Sequence, residues 1–286
     1  MPGKETISHQ KRRSVAGRLF VSAVKAGLVV GGIHAASMLT LDRRIQYKEI
    51  DYCSKRICPS LDGYTIAFIT DTHALPMGEL REVARRVSAR RCGLLLLGGD
   101  FPDKEGAPAA SMEVLGKVRT RDGIYGVCGN HDRLSILKKA MADNHAHLLD
   151  NEGMVIREGL YLAGIQDRKF DHPDVGRALG GAGEDDFILL LSHNPDSSME
   201  PEAAKADLVL SGHTHGGQIN VFGAWAPFMF LGGRRVSAYG QKFRTGWAKS
   251  DMGPDVFVSN GTGSHKGIPR VFARPQVIYL TLRSQR

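Results

Sequence analysis

Cysteine is scarce, four residues in 286, and it is not spaced as a disulfide framework. Cys92 and Cys128 lie in or beside apolar runs, where a thiol behaves as a small hydrophobe. Cys53 and Cys58 are spaced C-x4-C with too few ligands nearby for a zinc site. A disulfide between them stays open if the domain is exported. Basic charge is also missing where a nucleic-acid enzyme would carry it. The formal net charge is +8, yet residues 1–60 hold eleven Lys/Arg against four Asp/Glu, and the remainder holds 27 against 26. That balance disfavours nucleic acid as a partner of the region after residue 60. An unbroken membrane-length apolar run is absent too. Ala26–Leu41 is sixteen residues with His34 inside, whereas a full span needs about 20. No internal repeat is apparent.

What is present divides the chain in two. Residues 1–60 form a basic segment, with an apolar stretch at 19–41 and a linker, and residues 61–286 form the main domain. Met1–Ser14 reads as polar and disordered. Leu19–Leu41, flanked by Arg18 and Asp42, admits three readings. It is a single-pass anchor, with Lys25 reaching the headgroups along its own stem. It is an export signal, with Lys11-Arg12-Arg13 before it and Ala35-Ala36-Ser37 as a small-residue cleavage site. Or it is an amphipathic helix packed on the domain. Arg12-Arg13 faintly resembles a twin-arginine signal that lacks the usual Phe. The basic flanks suit an anionic membrane surface and place the protein with membranes, on a side the charges do not specify.

Apolar residues make up 42% of the chain, enough for a core of ordinary size. Gln46–Leu61 reads as a linker or an entering edge strand. From Tyr64 strands and helices alternate. The strands are Tyr64–Thr70, Leu94–Leu97, Gly123–Cys128, Tyr161–Ile165, Phe187–Leu191, Leu208–Ser211, Val256–Ser259 and Gln276–Leu282. The helices are Glu79–Arg91, Pro108–Val118 and Arg133–Asn144, the last with Asp132 as its cap. Five segments follow apolar runs and carry donor side chains. They are Asp71-Thr72-His73, Gly99-Asp100-Phe101-Pro102-Asp103, Gly129-Asn130-His131-Asp132, Ser192-His193-Asn194-Pro195 and Gly212-His213-Thr214-His215-Gly216-Gly217. Strand ends in α/β folds are the usual place for a site. Flanking glycines let the chain turn tightly there. A lone Asp or His in any one segment would be a cap or a surface residue; their joint order carries the argument.

That order resembles the calcineurin-like metallophosphoesterase superfamily from about Ile66 to the C-terminus. The resemblance implies an α/β fold, a four-layer αββα sandwich of two mixed β-sheets flanked by helices. It implies two divalent metal ions, manganese first, with iron, zinc or cobalt also suited to mixed oxygen and imidazole ligands. Asp71, His73, Asp100 and His215 would hold one ion. Asp100, Asn130, His193 and His213 would hold the other, with Asp100 bridging. The two ions would bind phosphate oxygens and acidify a bridging water, the nucleophile. His131 would protonate the leaving oxygen, and Asp103 would orient it by accepting its second ring N–H. Protein phosphatases of the superfamily carry Arg after the aspartate matching Asp103; Lys104 stands there instead, as a weaker substrate contact. Purple acid phosphatases carry a Tyr ligand where Asp103 stands, so their iron–phenolate colour is not expected. Ala74 and Leu75 replace the Gly of many relatives, without a functional account. His9, His34, His145, His147, His172 and His265 match no motif.

His215-Gly216-Gly217-Gln218 with Asn260-Gly261-Thr262-Gly263, Pro269-Arg270 and Pro275 resembles a bacterial subgroup. Its members include membrane-associated phosphodiesterases and enzymes of lipid A precursor cleavage. The reaction so implied is hydrolysis of a phosphodiester or pyrophosphate bond in a membrane lipid or nucleotide-linked lipid precursor. A superfamily nuclease or nucleotide phosphodiesterase is one alternative, and a non-catalytic metal-binding scaffold is another. Val221–Lys249 mixes Trp225, Phe228, Met229 and Phe230 with Arg234, Arg235, Lys242 and Arg244. It reads either as a lip that meets acyl chains and phosphates or as a hairpin that covers the second sheet, turning at Gly232-Gly233.

Overall fold

The computed structural model describes residues 5–39, 44–102, 107–170, 173–229, 236–264 and 268–285. Asp103, Lys104, Phe230, Gly232-Gly233, Arg234, Arg235, His172 and His265 lie outside the described residues.

Two six-stranded sheets stack face to face. The first runs β1 (Gln46–Ser54), β12 (Gln276–Ser284), β2 (Thr65–Ile69), β3 (Leu94–Leu97), β4 (Ile124–Gly126) and β5 (His147–Leu148). Within it β2, β3, β4 and β5 are parallel, and β12 is antiparallel to β2. The second runs β10 (Gly246–Lys249), β11 (Asp255–Val258), β9 (Leu208–Ser211), β8 (Phe187–Leu191), β7 (Leu160–Gly164) and β6 (Glu152–Arg157). Its middle four strands are parallel and its two edges antiparallel.

Successive side chains of a strand point to opposite faces, and that alternation builds the layers. Ile66, Phe68, Leu94 and Leu96 point inward and meet Leu162, Leu189, Leu191, Leu210 and Phe257 of the second sheet. Their neighbours Ala67, Ile69, Leu95 and Leu97 point outward, under helices α2 (Met77–Arg90), α3 (Ala107–Leu115) and α4 (Leu134–Asp143). Leu80, Val83 and Val87 supply the buried stripe of α2 at helical spacing. On the far side Ile188, Leu190 and Val209 pack with Val175 and Leu179 of the short α5 (Val175–Leu179). The four-layer sandwich of two mixed sheets is therefore present. Strands buried on both faces read as continuous apolar runs, as Leu94–Leu97 and Phe187–Leu191 do.

Several expectations change. The polar start is not disordered from Glu5 onward: α1 runs Glu5–Leu39 without a break. Once a helix is nucleated, each added residue gains a hydrogen bond. Its stretch Leu19–Ser37 has mean hydropathy 1.7 and is buried only at its last residue, Ser37, so the helix is not packed on the domain as a core element. The four cysteines are free; Cys53 is exposed on β1 and does not pair with Cys58. Gln46–Ser54 is an edge strand rather than a linker. Among the described residues of Val221–Lys249 no strand precedes β10, so no hairpin over the second sheet is formed by them. They form short 3-10 turns at Pro227–Met229 and Gly240–Phe243 before β10.

Candidate metal centre

Each donor segment begins where a parallel strand ends. Asp71 follows β2, Asp100 follows β3, Asn130 follows β4, His193 follows β8, and His213 and His215 follow β9. The two stacked sheets thus aim their C-terminal ends into one cleft. Asp71, His73, Asp100, His213 and His215 all adopt left-handed backbone, with φ between 35° and 68°. Such a conformation is uncommon for non-glycine residues and clusters at functional sites. The flanking glycines serve a different need, close approach. A Cβ on Gly212 would collide with Asp71 Oδ2, and one on Gly129 with Asp100 Oδ1.

The donor atoms converge in two groups. Asp71, His73 and His215 form one, and Asp71, Asp100 and His193 another, each with its ligand atoms within 4.8 Å of one another. His73 Nε2 lies 3.1 Å from His215 Nε2. Asn130 Oδ1 lies 3.0 Å from His193 Nε2 and 2.8 Å from His213 Nδ1. Donors bonded at about 2.1 Å and roughly at right angles stand about 3 Å apart, so these separations fit cations held between them. Asp100 Oδ2 is 3.4 Å from His73 Nε2 and 3.3 Å from His193 Nε2, so one carboxylate oxygen faces both groups.

Tautomers are set by carbonyls behind the rings. His193 Nδ1 donates to Gly98 O at 2.7 Å, leaving Nε2 toward the cleft. His213 is reversed: Nε2 donates to Val236 O at 2.9 Å, and Nδ1 faces inward. A histidine ligand oriented by its second ring N–H is the usual support of a metal site. The Val236 carbonyl is in turn anchored by Asp196, which accepts from Ser237 Oγ and Ala238 N. Behind His215 lies Arg270, a buried guanidinium that donates to the carbonyls of His215, Asn260, Gly263 and Ala273.

Electrostatics prepares the donors. Burial lowers the pKa values of His73, His213 and His215, helped at His215 by Arg270, so these rings are neutral and have a lone pair to offer. Burial also opposes charge on Asp100 and His193, but each stabilises the other's ion. Asp100 is held below the usual carboxylate range and His193 well above the usual histidine range.

His131 stands at the edge of this cluster. Its backbone N–H donates to Asp100 Oδ1 at 2.7 Å, and its ring sits edge-on to His73 with centroids 5.4 Å apart. Asp132 does not cap α4; that helix starts at Leu134, with Arg133 at the cap position and no side-chain cap. Instead its carboxylate accepts from Gly129 N, Asp100 N and Phe101 N. It stitches the loop after β3 to the loop after β4. Burial, with the Asp100 charge second, pushes its carboxyl up to about 7. Of the unassigned histidines, His147 pairs with Glu152 and His34 packs against Phe222 and Phe272.

The family model described as calcineurin-like phosphoesterase matches residues 64–217, which carry all these donors. The chain belongs to that family. It is a metal-dependent phosphoesterase. An uncharacterised metallophosphoesterase of Bacillus subtilis is 24% identical over 97% of this chain and 99% of its own length. A transmembrane protein with a metallophosphoesterase domain from Danio rerio is 26% identical over 96% of this chain and 66% of its own. An uncharacterised Bacillus subtilis protein reaches 31% identity over 76% of this chain and 80% of its own. Among solved structures, a dimetal phosphatase from Danio rerio aligns with 77% of this chain and 99% of its own, at TM-score 0.42 and 11% identity.

Three residues that support the phosphoesterase site were not found by sequence reasoning. The sequence places Asp132 at a helix cap and assigns no role to Asp196 or Arg270. Asp196 follows the Asn194-Pro195 pair by one residue, but nothing local shows that it reaches the segment at Val236–Ala238. Their partners lie 31 or more residues away, or in loops without regular pattern.

Proposed function

We propose that this phosphoesterase hydrolyses a phosphodiester or pyrophosphate bond of a membrane-borne lipid or nucleotide-linked lipid precursor. It works with two divalent ions; the mixed oxygen and imidazole set suits manganese, iron, zinc or cobalt, with manganese put first by the family resemblance. Asp71, His73, Asp100 and His215 hold one, and Asp100, Asn130, His193 and His213 the other. The observation that carries this reading is the position of Asp100 Oδ2, within 3.4 Å of a donor nitrogen in each group. When bound, the ions supply positive charge to the phosphate oxygens and acidify water.

The remaining work falls to the chain. Asp100 and Asp71 are held rigidly as acceptors, the latter by Thr70 Oγ1 at 2.7 Å and His213 N at 3.0 Å. His131 protonates the leaving oxygen from the open side of the cluster. The family resemblance assigns Asp103 to orient His131 and Lys104 to contact the phosphate, and both lie outside the described residues. A lipid substrate is supported by the exposed apolar stretch of α1 and by relatives named as transmembrane proteins from Danio rerio and Bos taurus.

The test is a hydrolysis panel on the purified full chain, with metal analysis alongside. Bis(p-nitrophenyl) phosphate, p-nitrophenyl phosphate, a nucleotide-linked lipid pyrophosphate and single-stranded nucleic acid are compared. Cleavage of the diester and the lipid pyrophosphate, lost with a chelator and regained with manganese, is the expected result. Preference for the monoester overturns the diesterase reading. Full metal content without turnover on any substrate makes the protein a scaffold.

A further inference from the structure

We propose that the loop Val221–Trp225, with Ile268 beside it, docks on the interface of a lipid bilayer, so that the metal cleft opens at the membrane surface. The proposal deepens the lipid-substrate reading and rests on it for its purpose, while the docking itself is measured separately.

Four observations converge. First, α1 meets the domain by its polar residues. His34 and Ser37 lie three apart, hence on one helix face. The His34 ring stands edge-on to Phe222 and to Phe272, with centroids 5.0 Å away in both cases. His34 Nδ1 donates to Val30 O at 2.9 Å, which keeps its polar atom satisfied within the helix. Ser37 is buried. Above this contact the helix surface is mostly apolar, interrupted by exposed Ser22 and Lys25: Leu19, Phe20, Leu28 and Val29 are each more than half exposed.

Second, the loop at the helix foot keeps large apolar groups outward. Phe222 is 52% exposed and Trp225 48%, and Val221 and Ile268 are exposed too. Clustered exposed apolar residues mark a binding surface, and Trp is a side chain suited to the membrane–water boundary. Third, the backbone there is strained. Phe222 and Phe272 adopt left-handed φ of 50° and 52°, rare for bulky residues. Both rings contact His34 of the helix.

Fourth, the loop is joined to the metal centre. His215–Gly217 runs directly into Gln218–Val221. Gln218 Nε2 donates to Ile268 O at 3.0 Å, and Ile219 pairs with Val271. Arg270, between Ile268 and Val271, holds the carbonyl of His215. The occupant is therefore the bilayer rather than a second copy of the chain, because the patch is continuous with a helix whose apolar surface no described part of the domain covers.

The chain has two tryptophans, which makes the proposal measurable. Trp225 lies on the loop. Trp247 lies on β10, stacked on Tyr52 with centroids 5.6 Å apart. The full-length Trp247→Phe protein is reconstituted in vesicles of phosphatidylcholine and phosphatidylglycerol, with or without bromine on the acyl chains near the headgroup. Trp225 should lose most of its emission to the bromines, and Trp247, read in Trp225→Phe, should keep it. If either variant folds poorly, 5-fluorotryptophan in the unmodified chain replaces them. A headgroup spin label should then broaden one of two fluorine signals and spare the other. Equal response of both tryptophans, or none from Trp225, overturns the docking. A blue shift of Trp225 without bromine quenching, with a dimer by light scattering, assigns the patch to a second copy and also overturns it. Hydrolysis is followed in the same samples. Quenching without lipid turnover keeps the docking and sinks the substrate reading; lipid turnover without quenching does the reverse.

Discussion

Asp100 faces both donor groups, so removing it should cost more than removing any terminal ligand. Asp100→Ala is expected to abolish activity and most bound metal, checked by elemental analysis of the purified protein. Metal content near that of the wild type would end the bridging assignment. His131 reaches Asp100 through its backbone N–H, which any residue retains. His131→Ala should therefore keep both ions and lower turnover by about 10²–10⁴, the usual range for a positioned acid or base. The loss should shrink for a nitrophenolate leaving group, which needs no proton; equal losses for good and poor leaving groups would remove the acid role. His193 carries the opposite sign from its neighbours. Asp100 raises its pKa well above 6.5 against the opposing effect of burial, so without metal it keeps its proton at neutral pH. A histidine with a raised folded pKa stabilises the metal-free fold below 6.5, and that contribution is lost as pH rises through the raised value. Metal entry at His193 must displace this proton. Manganese uptake should release a proton, and affinity should increase with pH; titration calorimetry in buffers of different ionisation enthalpy reads both. Affinity independent of pH would place His193 outside the ligand set.

At the scale of elements, the site depends on loops that hold one another rather than on any single strand. β3 and β4 are neighbours in the first sheet, and the loops after them deliver Asp100 and Asn130. Asp132 joins the two by accepting three backbone N–H groups. Each buried donor left unpaired costs about 1–3 kcal/mol. Asp132→Ala should therefore destabilise the protein by at least about 3 kcal/mol and weaken binding at both ion positions. Urea denaturation followed by circular dichroism, with and without manganese, separates the two effects. A stability loss well under 1 kcal/mol would mean that the loops hold their shape without it.

For the molecule as a whole, the helix and the sandwich are joined at the foot of α1, and the catalytic donors all come later in the chain. β1 begins at Gln46 and pairs with β12 over its full length, so a cut at Arg44 spares both sheets. Deleting Met1–Arg44 should leave a soluble, metal-binding domain that still hydrolyses bis(p-nitrophenyl) phosphate. Activity on bilayer-borne substrate should fall, because the helix raises the local concentration of enzyme at the surface. The full chain should stay with membranes in high salt. Release by salt alone would show that charge binds the surface and the helix does not insert.

The sequence by itself determined the strand ends that carry the candidate donor segments and, through the resemblance of those segments, the family and its layered architecture. Those signals are local. A strand buried on both faces is a short run of apolar residues, as in Leu94–Leu97 and Leu208–Ser211, and the donor stands where the run stops. The mixed-polarity edge strand Glu152–Arg157 and the five-residue α5 carried too little periodicity to be read. Only the tertiary structure decided strand order, which nitrogen of His193 and His213 faces the cleft, and that Asp132 joins two loops instead of capping a helix. It also decided that α1 rests on Phe222 and Phe272, residues 188 and 238 positions beyond His34. Each of these outcomes depends on a hydrogen bond or ring contact between segments distant in the chain, and a sequence records a residue's neighbours along the backbone but not across the fold.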